Sequence, residues 1–111
     1  MDRALIIRQP WIDMILNGEK TWEMRSKPTK IRGRIGLIEQ GTGLIVGECN
    51  LDDVAESVDN FNIGYGQHLH KVDDLDLLEK WKYPWVLSGA QRYEKPIPYK
   101  HPRGAVTWVK I

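Results

Sequence analysis

Thiol chemistry is almost missing from this chain: Cys49 is its one cysteine. No internal disulfide can form, and no cysteine cluster offers a structural zinc site. Long apolar runs are missing too, since none approaches the roughly 20 residues a membrane-crossing helix needs. The opening Met1-Asp2-Arg3-Ala4-Leu5-Ile6-Ile7-Arg8 breaks its apolar run too soon for a secretory leader. Gly41-Thr42-Gly43 is followed by no lysine-serine or lysine-threonine step opening a helix, which excludes a phosphate-cradling loop. Internal repeats and low-complexity tracts are likewise absent. The expectation is a cytoplasmic protein with no membrane association, no metal and no cofactor.

Net charge is also scarce, at +1, yet the charges are segregated. Residues 1–50 carry a balance of +2, residues 51–82 one of −5, and residues 83–111 one of +4. Lys20, Arg25, Lys27, Lys30, Arg32 and Arg34 have only Glu23 among them as an opposing charge. Such separation directs an anionic partner to one side of a nearly neutral protein; solvated loop charges are the plainer reading. The acidic stretch 51–82 offers a protein-interaction surface as a further possibility, on charge alone. With 111 residues, 41% hydrophobic and 28% charged, the chain is expected to form one globular domain spanning 1–111.

Hydrophobic periodicity divides the chain into short elements. Residues 3–8 read as a strand, and Pro10 opens a helix on which Trp11, Met14 and Ile15 share a face. Asn17-Gly18 closes that helix. The period then changes to two: Trp22 and Met24 point one way, Thr21, Glu23 and Arg25 the other. Residues 26–30 form a loop, residues 31–40 and 44–49 a pair of strands, and residues 60–66 an irregular stretch. Asp73-Asp74 caps a second helix ending near Trp81, with Pro84 as its stop signal. A strand over 85–93 interrupted near Gly89, a proline-limited edge over 96–99 and a last strand over 105–111 complete the chain. Many strands and two or three short helices in mixed order indicate an α+β fold, a small β-barrel.

The stretch with the most chemistry is Gly18-x-Lys20-x-x-Glu23-x-Arg25, preceded by Pro10-Trp11 and the apolar helix. It resembles the signature of the ASCH domain (ASC-1 homology domain) family. Tyr83-Pro84-Trp85-Val86-Leu87, Pro96-Ile97-Pro98-Tyr99 and Gly104-x-x-x-Trp108 are similar to that family's closing half. The resemblance implies a PUA-like barrel, related to RNA-binding domains, with a cleft lined by the signature charges. One branch resembles amidohydrolases acting on acetylated cytidine, whose working residues are a lysine, a threonine and a glutamate. This chain has Glu23 where that threonine stands, and Thr21 lies two residues short of it. Other members are described as ribonucleases.

From the residues themselves, Arg25 can clamp a phosphate or carbonyl by its planar fork, Lys20 adds a point charge, and Glu23 orients both. A neutral Lys20 base would need its pKa lowered by about three units, costing about 4 kcal/mol, and an ionised Glu23 opposes that. The charge pattern alone therefore favours a clamp over an acid/base pair, although Lys20 and Glu23 are the catalytic candidates if there is a reaction. Arg8 and Gln9 end the first strand at the same mouth, and Lys100, His101 and Arg103 extend a basic rim. Of five tryptophans, Trp22 and Trp108 read as core and Trp81 as packing for the second helix. Trp11 and Trp85 sit beside charged residues, where stacking on a nucleobase and core packing are both open. His68 and His70 in His-x-His spacing, which would share a face on a strand, read as polar surface rather than metal ligands. The ligand set is thus Lys20, Glu23, Arg25, Arg8, Gln9, Trp11, Trp85, Lys100 and Arg103, and the expected partner is RNA or a nucleotide. The alternative is a hydrolytic enzyme, either a ribonuclease or an amidohydrolase on acetylated cytidine.

Overall fold

The structure, a computed structural model, describes residues 1–59 and 64–111. Four residues of the stretch expected to be irregular, 60–63, lie outside the described part. In chain order the elements are β1 (Arg3–Ile7), α1 (Trp11–Leu16), β2 (Trp22–Arg25), β3 (Gly33–Glu39), β4 (Leu44–Val54), α2 (Gln67–His70), α3 (Leu75–Lys80), β5 (Tyr83–Pro98) and β6 (Trp108–Lys110). The strands form one sheet in the order β2-β5-β4-β3-β1-β6, which curls into a half-barrel. Among the described residues only the β1–β3 pairing is parallel. The α+β small-barrel expectation is borne out.

Alternation along the strands builds the interior. On β1, Leu5 and Ile7 enter the largest apolar cluster with Ile12, Ile15, Leu37 and Leu87, while Ala4 and Ile6 enter a second with Ile38, Ile45 and Val109. Trp22 and Met24 of β2 feed a third cluster with Val58, Val72 and Leu78 beneath the short helices. Helix α1 lies tight on the sheet because Gly47 leaves room: a Cβ there would stand 2.5 Å from Leu16 Cδ2 and from the Gln91 carbonyl oxygen.

Several boundaries differ from the sequence reading. β4 runs on to Val54, and β5 continues unbroken from Tyr83 to Pro98. The break expected near Gly89 is instead a shift of register, with Glu48 opposite Gln91 but Asn50 opposite Ser88. β6 is shorter than expected, and Pro10 stands at the N-cap of α1 rather than inside it. His68 and His70 fall on the four-residue α2, so they share no strand face, and His70 is buried rather than surface. Asp74 does cap α3, its carboxylate accepting the Asp76 N–H at 2.9 Å. Asp74→Ala is expected to cost about 1 kcal/mol, read as a lower urea midpoint at unchanged m-value. No described helix is long and apolar enough to cross a membrane.

Candidate functional site

Two local devices fix Lys20 before its side chain reaches anything. Gly18, at φ +87°, turns the chain out of α1, and the Lys20 N–H then donates to the Met14 carbonyl at 3.0 Å. Thr21 follows with its N–H on the Leu69 carbonyl and its own carbonyl accepting from Leu87 N–H. Strand β2 is thereby held between α2 and β5. Because it is a strand, Glu23 and Arg25 project away from the cluster that takes Trp22 and Met24.

Lys20, Glu23 and Arg25 meet at a hollow of about 210 Å³, whose wall also includes Arg8, Trp11 and Trp81. Lys20 is 1% exposed and Glu23 5%. The ammonium donates to the His70 carbonyl at 2.5 Å, stands 3.7 Å from Glu23 Oε1 and lies 5.1 Å from the centre of the Trp11 ring. Glu23 Oε2 accepts from both Nε and Nη2 of Arg25, at 3.1 and 2.9 Å. Arg25 Nη2 also donates to the Ile6 carbonyl at 2.8 Å, so the guanidinium ties β2 to β1 across the open side of the curled sheet. Arg8 lies over the Trp81 ring at 4.8 Å.

Burial overrides charge pairing at the lysine. Removal from water pushes the Lys20 pKa down to about 8, although Glu23 pulls it up; Arg25 adds a smaller lowering. Spacing alone pointed the other way, because sequence carries no measure of depth. Behind the lysine, burial and then the Lys20 charge push His70 down to about 4. Its Nδ1 accepts the Val72 N–H at 2.9 Å, so the neutral ring carries its proton on Nε2, which has no partner among the described residues.

The structure brings together Lys20, Glu23, Arg25, Arg8 and Trp11, and leaves four other expected residues out. Trp85 is 3% exposed, stacked at 5.8 Å on Trp108, with its indole N–H on the Lys27 carbonyl. Both partners hold it in the core, so the stacking role considered for it is corrected to packing. Gln9, Lys100 and Arg103 are exposed but line no part of the hollow, because the chain turns at Pro10 and the 99–107 loop lies to one side. Trp81 supplies the second aromatic wall in place of Trp85. The capped helix ending at Trp81 was readable, but not the turn that swings this ring over the mouth. The part of His70 in anchoring Lys20 had no sequence signal, since it acts through its backbone carbonyl.

Residues 5–97 match the sequence pattern of the ASCH domain. Among solved structures, the crystal structure of ASCH from Zymomonas mobilis superposes with a TM-score of 0.75 at 12% identity, covering 98% of this chain and 86% of that one. Crystal structures of two mutants of the Zymomonas mobilis protein give TM-scores of 0.73 and 0.70, at 14% and 16% identity. They cover 98% of this chain in each case, and 88% and 87% of theirs. Identity at this level carries the fold alone. No curated protein matches the sequence.

Proposed function

Because the chain belongs to the ASCH domain family, we propose that the hollow at Lys20, Glu23 and Arg25 binds a single nucleobase of RNA or of a modified nucleotide. The observation that carries this reading is a buried donor and acceptor placed side by side in a hollow whose wall includes two tryptophans. Lys20 Nζ retains hydrogens beyond the one given to His70, and Glu23 Oε1 accepts none of the Arg25 bonds that fill Oε2. An acceptor beside a donor matches a base edge that presents an exocyclic amine next to a ring nitrogen or carbonyl, as cytosine does. Trp11 and Trp81 line the same hollow, each with a cation over its ring (Lys20 over Trp11, Arg8 over Trp81), and aromatic walls of this kind suit a base. At about 210 Å³ the space is smaller than the roughly 300–1,000 Å³ of drug-sized sites, and suits one flat ring system.

Calorimetry with cytidine monophosphate and acetylated cytidine tests it. The Lys20→Ala, Arg25→Ala double variant is expected to lose about 100-fold or more in affinity, since hydrogen bonds to charged groups contribute about 1.5–3 kcal/mol each. For RNA, each phosphate neutralised adds about 0.7 to the salt slope. Unchanged affinity in the double variant would remove the hollow from the account.

One observation favours a second reading, hydrolysis of an amide or of an RNA backbone. A lysine with a pKa of about 8 beside a carboxylate is closer to acid/base service than the sequence indicates. Product formation from acetylated cytidine or mixed RNA, lost in Glu23→Gln while ligand binding persists, would establish it. Absence of product from both substrates leaves the site a binder.

A further inference from the structure

Lys20 can serve a nucleobase as a hydrogen-bond donor, yet its surroundings also suit an amine that attacks carbon. A lysine becomes nucleophilic when burial or a neighbouring cation deprives its ammonium form of support. Both conditions hold here. Lys20 is buried, its ammonium lies over the Trp11 ring, and Met24 and Val72 join that ring in the wall. Arg25 stands beside it on the same carboxylate, Glu23. One amine hydrogen goes to the His70 carbonyl, which fixes the nitrogen and leaves the lone pair of the neutral amine uncommitted. Among the described residues no hydroxyl and no thiol lines the hollow, so an attack on carbon there falls to this amine.

We infer that Lys20 forms a covalent imine with a small carbonyl compound that carries a carboxylate next to the carbonyl, a 2-oxo acid. The guanidiniums argue for the carboxylate. Arg8 is exposed at the hollow, and among the described residues its only contact is the Trp81 ring. Arg25 spends Nε and Nη2 on Glu23 and the Ile6 carbonyl, while its Nη1 makes no hydrogen bond among the described residues. Open guanidinium donors in one wall with an amine take an anionic group while the amine meets the carbon beside it. At about 210 Å³ the space admits a small acid of this kind. The step balances with groups already in place. The neutral amine adds to the carbonyl carbon, forming the C–N bond as the π pair moves to oxygen. Glu23 Oε1, 3.7 Å from the amine and outside the Arg25 bonds, relays the two nitrogen protons to that oxygen, one at a time. The C–O bond breaks, water leaves, and the nitrogen lone pair completes the C=N bond. Nothing is oxidised or reduced.

This chemistry shares its hollow with the nucleobase reading and does not depend on it. The protein is incubated near neutral pH with pyruvate, or with methyl pyruvate as an uncharged control, and quenched with borohydride. Borohydride reduces an imine to a stable secondary amine, and peptide mass spectrometry locates the modified lysine. Because burial pushes its pKa down to about 8, Lys20 is expected to be labelled at least about tenfold faster than any other lysine. Three variants, each first shown to unfold cooperatively, divide the roles. Lys20→Met removes the fast labelling. Arg8→Ala lowers labelling by pyruvate about tenfold and leaves that by methyl pyruvate unchanged. Glu23→Gln slows both by about 100-fold. Parent protein labelled evenly over its surface lysines, with no preference for Lys20, would overturn the imine. Equal labelling of Lys20 by the acid and its ester would overturn the carboxylate contact. Lys20 labelled in a protein with no affinity for cytidine monophosphate would sustain the imine and sink the base reading; nucleotide bound with Lys20 unlabelled would do the reverse.

Discussion

Glu23→Ala is expected to destabilise the protein by about 3–5 kcal/mol, although it removes a residue of the candidate site rather than of the apolar core. The carboxylate is 5% exposed and is the one anion between the Lys20 ammonium and the Arg25 guanidinium. Without it Lys20 keeps the His70 carbonyl and the Trp11 ring, and Arg25 the Ile6 carbonyl and the Trp85 ring, with no anion between the two cations. Deleting one partner of a buried ion pair costs about that much because the remaining charge is left uncompensated. Lys20→Met should behave oppositely. It removes the ammonium that burial penalises and leaves the Glu23–Arg25 pair intact, so it is expected to be neutral or to stabilise by about 1–2 kcal/mol while weakening ligand binding. Urea unfolding of both single variants and of the double variant measures the coupling, expected at about 1–3 kcal/mol for residues in one ion-pair network. A loss below about 1 kcal/mol in Glu23→Ala would mean that the three charges do not act as one buried cluster.

Periodicity carried much of the fold and a good part of the site. The switch from helical spacing at Trp11, Met14 and Ile15 to alternation at Trp22–Arg25 located the turn at Gly18, and with it the convergence of Lys20, Glu23 and Arg25. These are local features, set by the caps and pleat of adjacent elements. What sequence did not carry is depth and return path. Lys20 is sealed by α2, whose four residues are too few for a periodic signal, and by a backbone carbonyl, which any residue supplies. Trp85 and Trp81 exchanged roles for a related reason. Both stand in the same run of aromatic and charged residues, and which ring meets the cleft depends on how α3 turns into β5. The continuity of β5 through Gly89 depended on register against β4, a pairing between segments some forty residues apart.

The buried bases give the stability curve two rising segments, and these are the second large effect. In the folded chain Lys20 loses its proton near pH 8, against 10.5 for an unperturbed lysine. Between those values the unfolded chain holds more proton, so this group makes stability rise with pH, by roughly 3 kcal/mol in all. Below pH 8 that increment is absent and Lys20 gives no slope. His70 acts the same way lower down. Its folded pKa of about 4 lies under the ordinary 6.5, so its contribution is complete above pH 6.5 and falls away, by roughly 3 kcal/mol, as the pH drops to 4. Cys49 opposes the upper rise, because burial pushes its thiol up to about 12 and stability is lost from about pH 9 upwards as the unfolded thiol ionises. The difference between parent and variant therefore isolates each base better than the parent curve does. Lys20→Met should flatten the segment from pH 8 to 10.5 and also shorten the acid one, because the Lys20 charge is part of what holds His70 down. His70→Asn should flatten the segment from pH 4 to 6.5, since its amide oxygen can still accept the Val72 N–H while the side chain no longer titrates. Urea midpoints taken at half-unit steps from pH 4 to 10.5 resolve both. A parent and a Lys20→Met variant that run parallel above pH 8 would show the lysine to be hydrated in solution, and with it would go the physical basis for a reactive amine in the hollow.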